Sequence, residues 1–244
     1  MYLYRGKDIG GRNRLHDLCR GIIQNGDPEE LLEILPHLRV LRDPTLRSPL
    51  LRLLAEGRPL QKAAAVECLA TLGDPALIPE FLAAFLNSYL EKGGEGSRIR
   101  AAVLTGLGDI PDEAAVDALR RIYREASAGS VEVPLMERLL IASLGRLAQQ
   151  GIQSAEEWLF DFLTDGTPRQ KALAATEAAV AYWHRPQQAP AVLLERLTAL
   201  CQNEAGKVAT AAYEALASLA GIGSRAAEEC LKSLAQAGSS PVRR

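Results

Sequence analysis

Apolar residues along this chain fall three and four apart, and no stretch alternates at period two over a strand length. Every predicted element is therefore a helix. Capping residues beside prolines mark helix starts at Asp27-Pro28, Asp43-Pro44, Asp74-Pro75, Pro111-Asp112 and Thr167-Pro168. Glycines such as Gly57, Gly73, Gly151, Gly166 and Gly221 mark the ends. Between these marks the pattern predicts helices near 12–25, 28–41, 45–56, 59–72, 75–91, 97–109, 112–127, 133–150, 154–164, 168–184, 189–203, 206–220 and 223–237. Residues 1–11 read as an N-terminal arm, the link Lys92–Ser97 (KGGEGS) as the most flexible internal loop, and residues 239–244 as a flexible tail.

One helical pattern recurs five times at a spacing of 36 to 38 residues, on the anchors Leu69, Leu107, Leu144, Val180 and Leu216. Small residues flank each anchor: Cys68 and Ala70, Gly106 and Gly108, Ser143 and Gly145, Ala179 and Ala181, Ala215 and Ala217. Three positions on stands a second large apolar residue, in Leu72, Ile110, Leu147, Trp183 and Leu219. Small residues let helices approach closely, and residues three apart share a helix face. A fixed period of this length predicts stacked helical units that bury their apolar faces against one another. The expected fold class is all-α, a right-handed α-α superhelix of about six helix pairs over residues 12–238, with 12–41 a divergent capping unit.

The stretches Cys68–Leu86 (CLATLGDPALIPEFLAAFL) and Gly106–Tyr123 (GLGDIPDEAAVDALRRIY) resemble the HEAT family, and within it the HEAT-like repeats of phycobilisome lyases. The resemblance covers about residues 45–237 and implies a HEAT/armadillo-like solenoid. It also implies a basic residue near the start of the second helix of each unit; Lys62 and Arg100 fit that slot, whereas Glu137, Leu173 and Ala209 do not. In such solenoids the second helix of each pair lines the concave side.

Counted from the anchors, positions −9, −2 and +2 lie opposite the buried −3, 0 and +3 positions. The −9 row reads Leu60, Arg98, Leu135, Lys171, Lys207; the −2 row Glu67, Thr105, Ala142, Ala178, Glu214; the +2 row Thr71, Asp109, Arg146, Tyr182, Ser218. The concave-face candidates for binding a protein are Arg98, Asp109, Arg146, Lys171, Tyr182, Lys207 and Glu214. Trp183, in the row of Leu72 and Ile110, is expected in the core.

Charge narrows the partner. The chain carries 28 basic and 30 acidic residues, a formal net charge of −2, which argues against a nucleic-acid partner. A mixed-charge face with an exposed tyrosine suits a protein or peptide better. Cys19, Cys68, Cys201 and Cys230 are too widely spaced for a zinc site or a disulfide framework and read as small hydrophobes. His16, His37 and His184 are not followed by Glu, which argues against the iron chemistry of the deoxyhypusine hydroxylases, an enzyme class that the repeat resembles. Glu157, Asp161 and Asp165 form an acidic stripe that reads as a solvated face. Trp158, Phe160 and Phe162, and Tyr182 beside Trp183, form the aromatic clusters. No nucleophile elbow or phosphate-binding loop occurs, and no cofactor or metal is expected. Without a signal-length or membrane-length apolar run, the expected location is cytoplasmic. The leading expectation is a non-catalytic HEAT-like scaffold for protein binding. The alternative is a HEAT-fold enzyme or enzyme accessory, either a relative of the DNA alkylpurine glycosylases or a bilin-lyase-like subunit.

Overall fold

A computed structural model of the chain describes residues 17, 21–23, 34, 42–91, 94–126 and 133–237. The expected arm, the tail, most of the capping unit and Lys92–Gly93 of the glycine-rich link lie outside these residues, as do Cys19, His16 and His37. The described residues are all-helical and contain no strand. They belong to two compact units, Met1–Gly106 and Leu107–Arg244.

In the first unit, α1 (Arg47–Glu56) packs on α2 (Pro59–Ala70), followed by α3 (Ile78–Asn87) and α4 (Gly96–Leu107). The two Asp-Pro signals act alike. Asp43 and Asp74 each cap a 3-10 turn, Pro44–Leu46 and Pro75–Leu77, by accepting the amide of Thr45 at 2.9 Å and of Ala76 at 3.0 Å. The side-chain oxygen occupies a donor that the helix end leaves unsatisfied. The predicted helix 75–91 is thus split into a 3-10 entry, α3, and a 3-10 exit at Ser88–Leu90. At Gly106 a Cβ would lie 3.0 Å from Ala70 Cβ and 3.3 Å from Phe81 and Val66, so α4 meets α2 and α3 where only a small residue fits.

The second unit holds α5 (Glu113–Ala126), α6 (Val133–Gln149), α7 (Gln153–Asp165), α8 (Pro168–Ala181), α9 (Ala191–Asn203), α10 (Lys207–Gly221) and α11 (Arg225–Gln236). Helices α6, α8 and α10 pack side by side as one row, and α5, α7, α9 and α11 as a second. Polar side chains tie one repeat to the next. Gln150 donates to Gly108 O at 3.1 Å, Arg185 to Ala148 O at 2.7 Å, and Arg196 to Phe160 O. Gly108 and Ala148 lie at helix C-termini, where carbonyls lack a partner further along the helix, whereas Phe160 O lies inside α7 and also accepts from the Thr164 hydroxyl at 3.1 Å. Tyr123 meets Trp158 and Phe162 edge-on at 5.9 Å, and those two rings stack at 5.7 Å, so this aromatic cluster packs α5 on α7.

Burial corrects the register of α8. Leu69, Leu107, Leu144 and Leu216 are fully buried, but Val180 is 38 % exposed and Ala178 only 1 %. The anchor is therefore Ala178, and the steps between anchors are 38, 37, 34 and 38 residues (69, 107, 144, 178, 216). Trp183 is 50 % exposed and not in the core, whereas Tyr182 is 4 % exposed and not on the binding face. The cause is the early end of the helix. Tyr182 leaves helical geometry as the C-cap of α8, at φ −106° and ψ 9°, so the two aromatic side chains no longer follow the helical rotation assumed for 168–184.

Candidate binding face

The corrected register places equivalent residues on each second helix. The −9 row now reads Leu60, Arg98, Leu135, Arg169, Lys207, and the −2 row Glu67, Thr105, Ala142, Thr176, Glu214. In the first unit these positions frame a groove of about 320 Å³ between α2 and α4. Leu60, Ala63, Ala64 and Glu67 line one side, and Arg98, Ala101, Ala102 and Thr105 the other. Both sides use positions −9, −6, −5 and −2. Alanine at −6 and −5 opens the groove, Leu60 and Arg98 stand at one end, and Glu67 and Thr105 at the other. A second cleft of about 320 Å³ between α1 and α3 has the apolar walls Leu51, Leu54, Ala84 and Ile99, with the Lys62–Glu91 pair (2.8 Å) on its lining.

The remaining candidates separate by environment. Lys171 is not an open edge residue: its ammonium lies 2.7 Å from Glu204 Oε1, and both side chains are largely covered. In the corrected register Lys171 shares the −7 slot with Lys62 and Arg100, where Leu173 had been placed. Arg100 is buried, donates to Ser88 Oγ at 3.1 Å, and lies 4.5 Å over the Tyr89 ring. The −7 cations therefore hold the fold rather than offer a binding edge. Lys207 and Glu214 are exposed, as expected. Asp109 and Arg146 form a half-exposed pair at 3.4 Å, and Arg146 also donates to Ser143 Oγ at 3.0 Å.

Glu177, a half-buried acid beside that pair, has a shifted ionisation: partial burial pushes its carboxyl above the usual range, opposed by the Arg146 guanidinium. The Tyr182 hydroxyl is also raised, first by burial and then by its hydrogen bond to Glu156, with Arg185 over the ring at 5.3 Å opposing. Burial, with Cys230 nearby, raises the Cys201 thiol to about 11. Cys68 is fully enclosed in its small-residue slot. Among the described residues no His, Cys, Asp and Glu cluster has the composition of a metal site, and no helix is long and apolar enough to cross a membrane.

Arg138 and Arg169 are exposed residues outside the face candidates that the sequence offers, and Trp183 is exposed where the sequence places it in the core. The signal for Arg169 was the helix cap. Arg58 caps α2 eleven residues before Leu69, and Thr167 caps α8 eleven residues before Ala178 (69 − 58 and 178 − 167). Both caps are closed by a glutamine at N3, through Gln61 at 2.8 Å and Gln170 at 2.9 Å. No family model matches the chain, and no curated protein matches it in sequence.

Proposed function

We propose that the chain is a non-catalytic HEAT-like repeat scaffold that binds a protein partner along the face of its second helices. The observation that carries this reading is the α2–α4 groove, whose two sides present the same four register positions. Stacked helix pairs that leave equivalent positions open on neighbouring second helices offer a groove for a partner. The groove has an alanine floor with a cation and a carboxylate at opposite ends. That combination of small apolar surface and polar rim suits a peptide or helix.

The test uses the double variant Arg98→Glu, Ala101→Leu, which reverses one end charge and fills the floor. A partner captured by the wild-type chain, then purified and titrated, should bind the variant at least tenfold more weakly, with helix content unchanged. Undiminished binding by the variant overturns the reading. So does salt-sensitive binding of duplex DNA with release of an alkylated base, or bilin transfer to an acceptor protein on co-expression.

A further inference from the structure

We propose that the N-terminal edge of α6, α8 and α10 binds an extended acidic peptide whose carboxylates recur about every third residue. This rests on the scaffold reading and assigns a partner chemistry to the second unit. Arg138, Arg169 and Lys207 are exposed, one on each of three helices that pack side by side. Among the described residues Arg138 and Lys207 take part in no ion pair, and Arg169 donates one Nη2 bond, to Pro134 O at 3.0 Å.

Of the acids beside these cations among the described residues, Glu204 is matched by a cation, whereas Glu137 is bonded to a neutral amide and keeps its charge. Glu137 accepts from Gln170 at 2.9 Å, and Glu204 holds Lys171 at 2.7 Å. Asp165, at the end of α7, pairs with none of the three cations. Among the described residues, three cations stand against the charges of Glu137 and Asp165, so the edge is net positive, and the N-termini of α6, α8 and α10 add their partial charges. Arg138 sits one turn further into its helix than Arg169 and Lys207 do, within reach of a guanidinium on a three-carbon stem.

Spacing selects the ligand. Packed helices stand about 8–10 Å apart. An extended chain advances about 3.3 Å per residue, so three residues span roughly 10 Å. Acidic side chains at every third position therefore meet successive cations. Apolar side chains lie among the cations: Leu135 is 44 % exposed, and Leu173 and Ala211 are half-buried. Apolar residues between the acids have a place to lie, which a sugar-phosphate backbone would not use.

The experiment is fluorescence anisotropy of the full chain with two labelled peptides of one composition. One carries Glu at every third position between Ala and Leu; the other carries the same glutamates in a block. The spaced peptide should bind at least threefold more tightly, and the affinity should fall with added salt. Arg138→Glu, Arg169→Glu, Lys207→Glu together should weaken it at least tenfold. Lys232→Glu, an equal charge change per residue on α11, should leave it unaltered. Equal binding of the two peptides, survival of binding in the triple variant, or equal loss in Lys232→Glu overturns the assignment. Tighter binding of a single-stranded RNA overturns it in favour of nucleic acid. If the edge assignment fails while the α2–α4 groove variant still loses its partner, the scaffold reading stands alone.

Discussion

Glu177 occupies the small-residue position held elsewhere by Cys68, Gly106, Ser143 and Ala215. A carboxylate fits there because the facing residue is Gly145, whose Cβ would lie 2.8 Å from Glu177 Oε2 and 3.0 Å from its Cβ. Burial raises the carboxyl above its ordinary value of 4.5, and Arg146 offsets only part of that. The folded state thus favours the neutral acid. Below pH 4.5 both folded and unfolded chains hold the proton, and the full stability is present. As the pH rises, the unfolded chain ionises first and stability is lost until the folded value is passed. Glu177→Gln cannot ionise. Its melting temperature should exceed that of the wild type at pH 7.5, and the gain should vanish at pH 4. A variant less stable than the wild type at pH 7.5 would show that the attraction to Arg146 outweighs desolvation.

At the scale of the element, α8 decides whether the repeat is counted correctly. Its anchor is an alanine, and the stretch Ala178–Ala181 (AAVA) imitates the small-large-small pattern two residues too late. Leu144→Ala should cost about 2–5 kcal/mol, because it opens a cavity in a fully buried site. Val180→Ala removes a partly exposed side chain and should cost less than about 0.5 kcal/mol. Ala178→Leu overpacks the α6–α8–α10 row and should cost about 1–3 kcal/mol. Urea unfolding of the three variants separates the registers; a large loss in Val180→Ala with a tolerated Ala178→Leu would restore Val180 as anchor.

The helix starts were legible because Asp-Pro and Thr-Pro caps are local, and the close approaches at Gly106 and Gly145 because small residues announce them. Tyr182 and Trp183 were not legible, since their placement depends on where α8 unwinds. The exposed cations were half legible. Arg98 and Lys207 follow from the anchors alone, but Arg169 follows only once the cap-to-anchor distance is used, and Lys171 was matched by Glu204, a residue 33 positions away.

For the second unit as a whole, packing order follows sequence order. Each helix of the α6–α8–α10 row touches the next, and α7, α9 and α11 do the same. The polar ties span single repeats, as from Arg185 to Ala148 and from Gln187 to Gly223. When each unit leans only on its neighbours, stability is a sum of local and nearest-neighbour terms, and damage stays near where it is made. Leu216→Ala should therefore accelerate amide exchange in α9, α10 and α11 by an order of magnitude or more. About 2 kcal/mol of local destabilisation corresponds to roughly thirtyfold in an opening equilibrium. Exchange in α6 and α7 should stay close to wild type. Mass-resolved hydrogen exchange reads the two regions in one sample. An equal rise across α5 to α11 would mean that this unit opens as a single cooperative body, and neighbouring repeats would then no longer be the parts from which its stability is built.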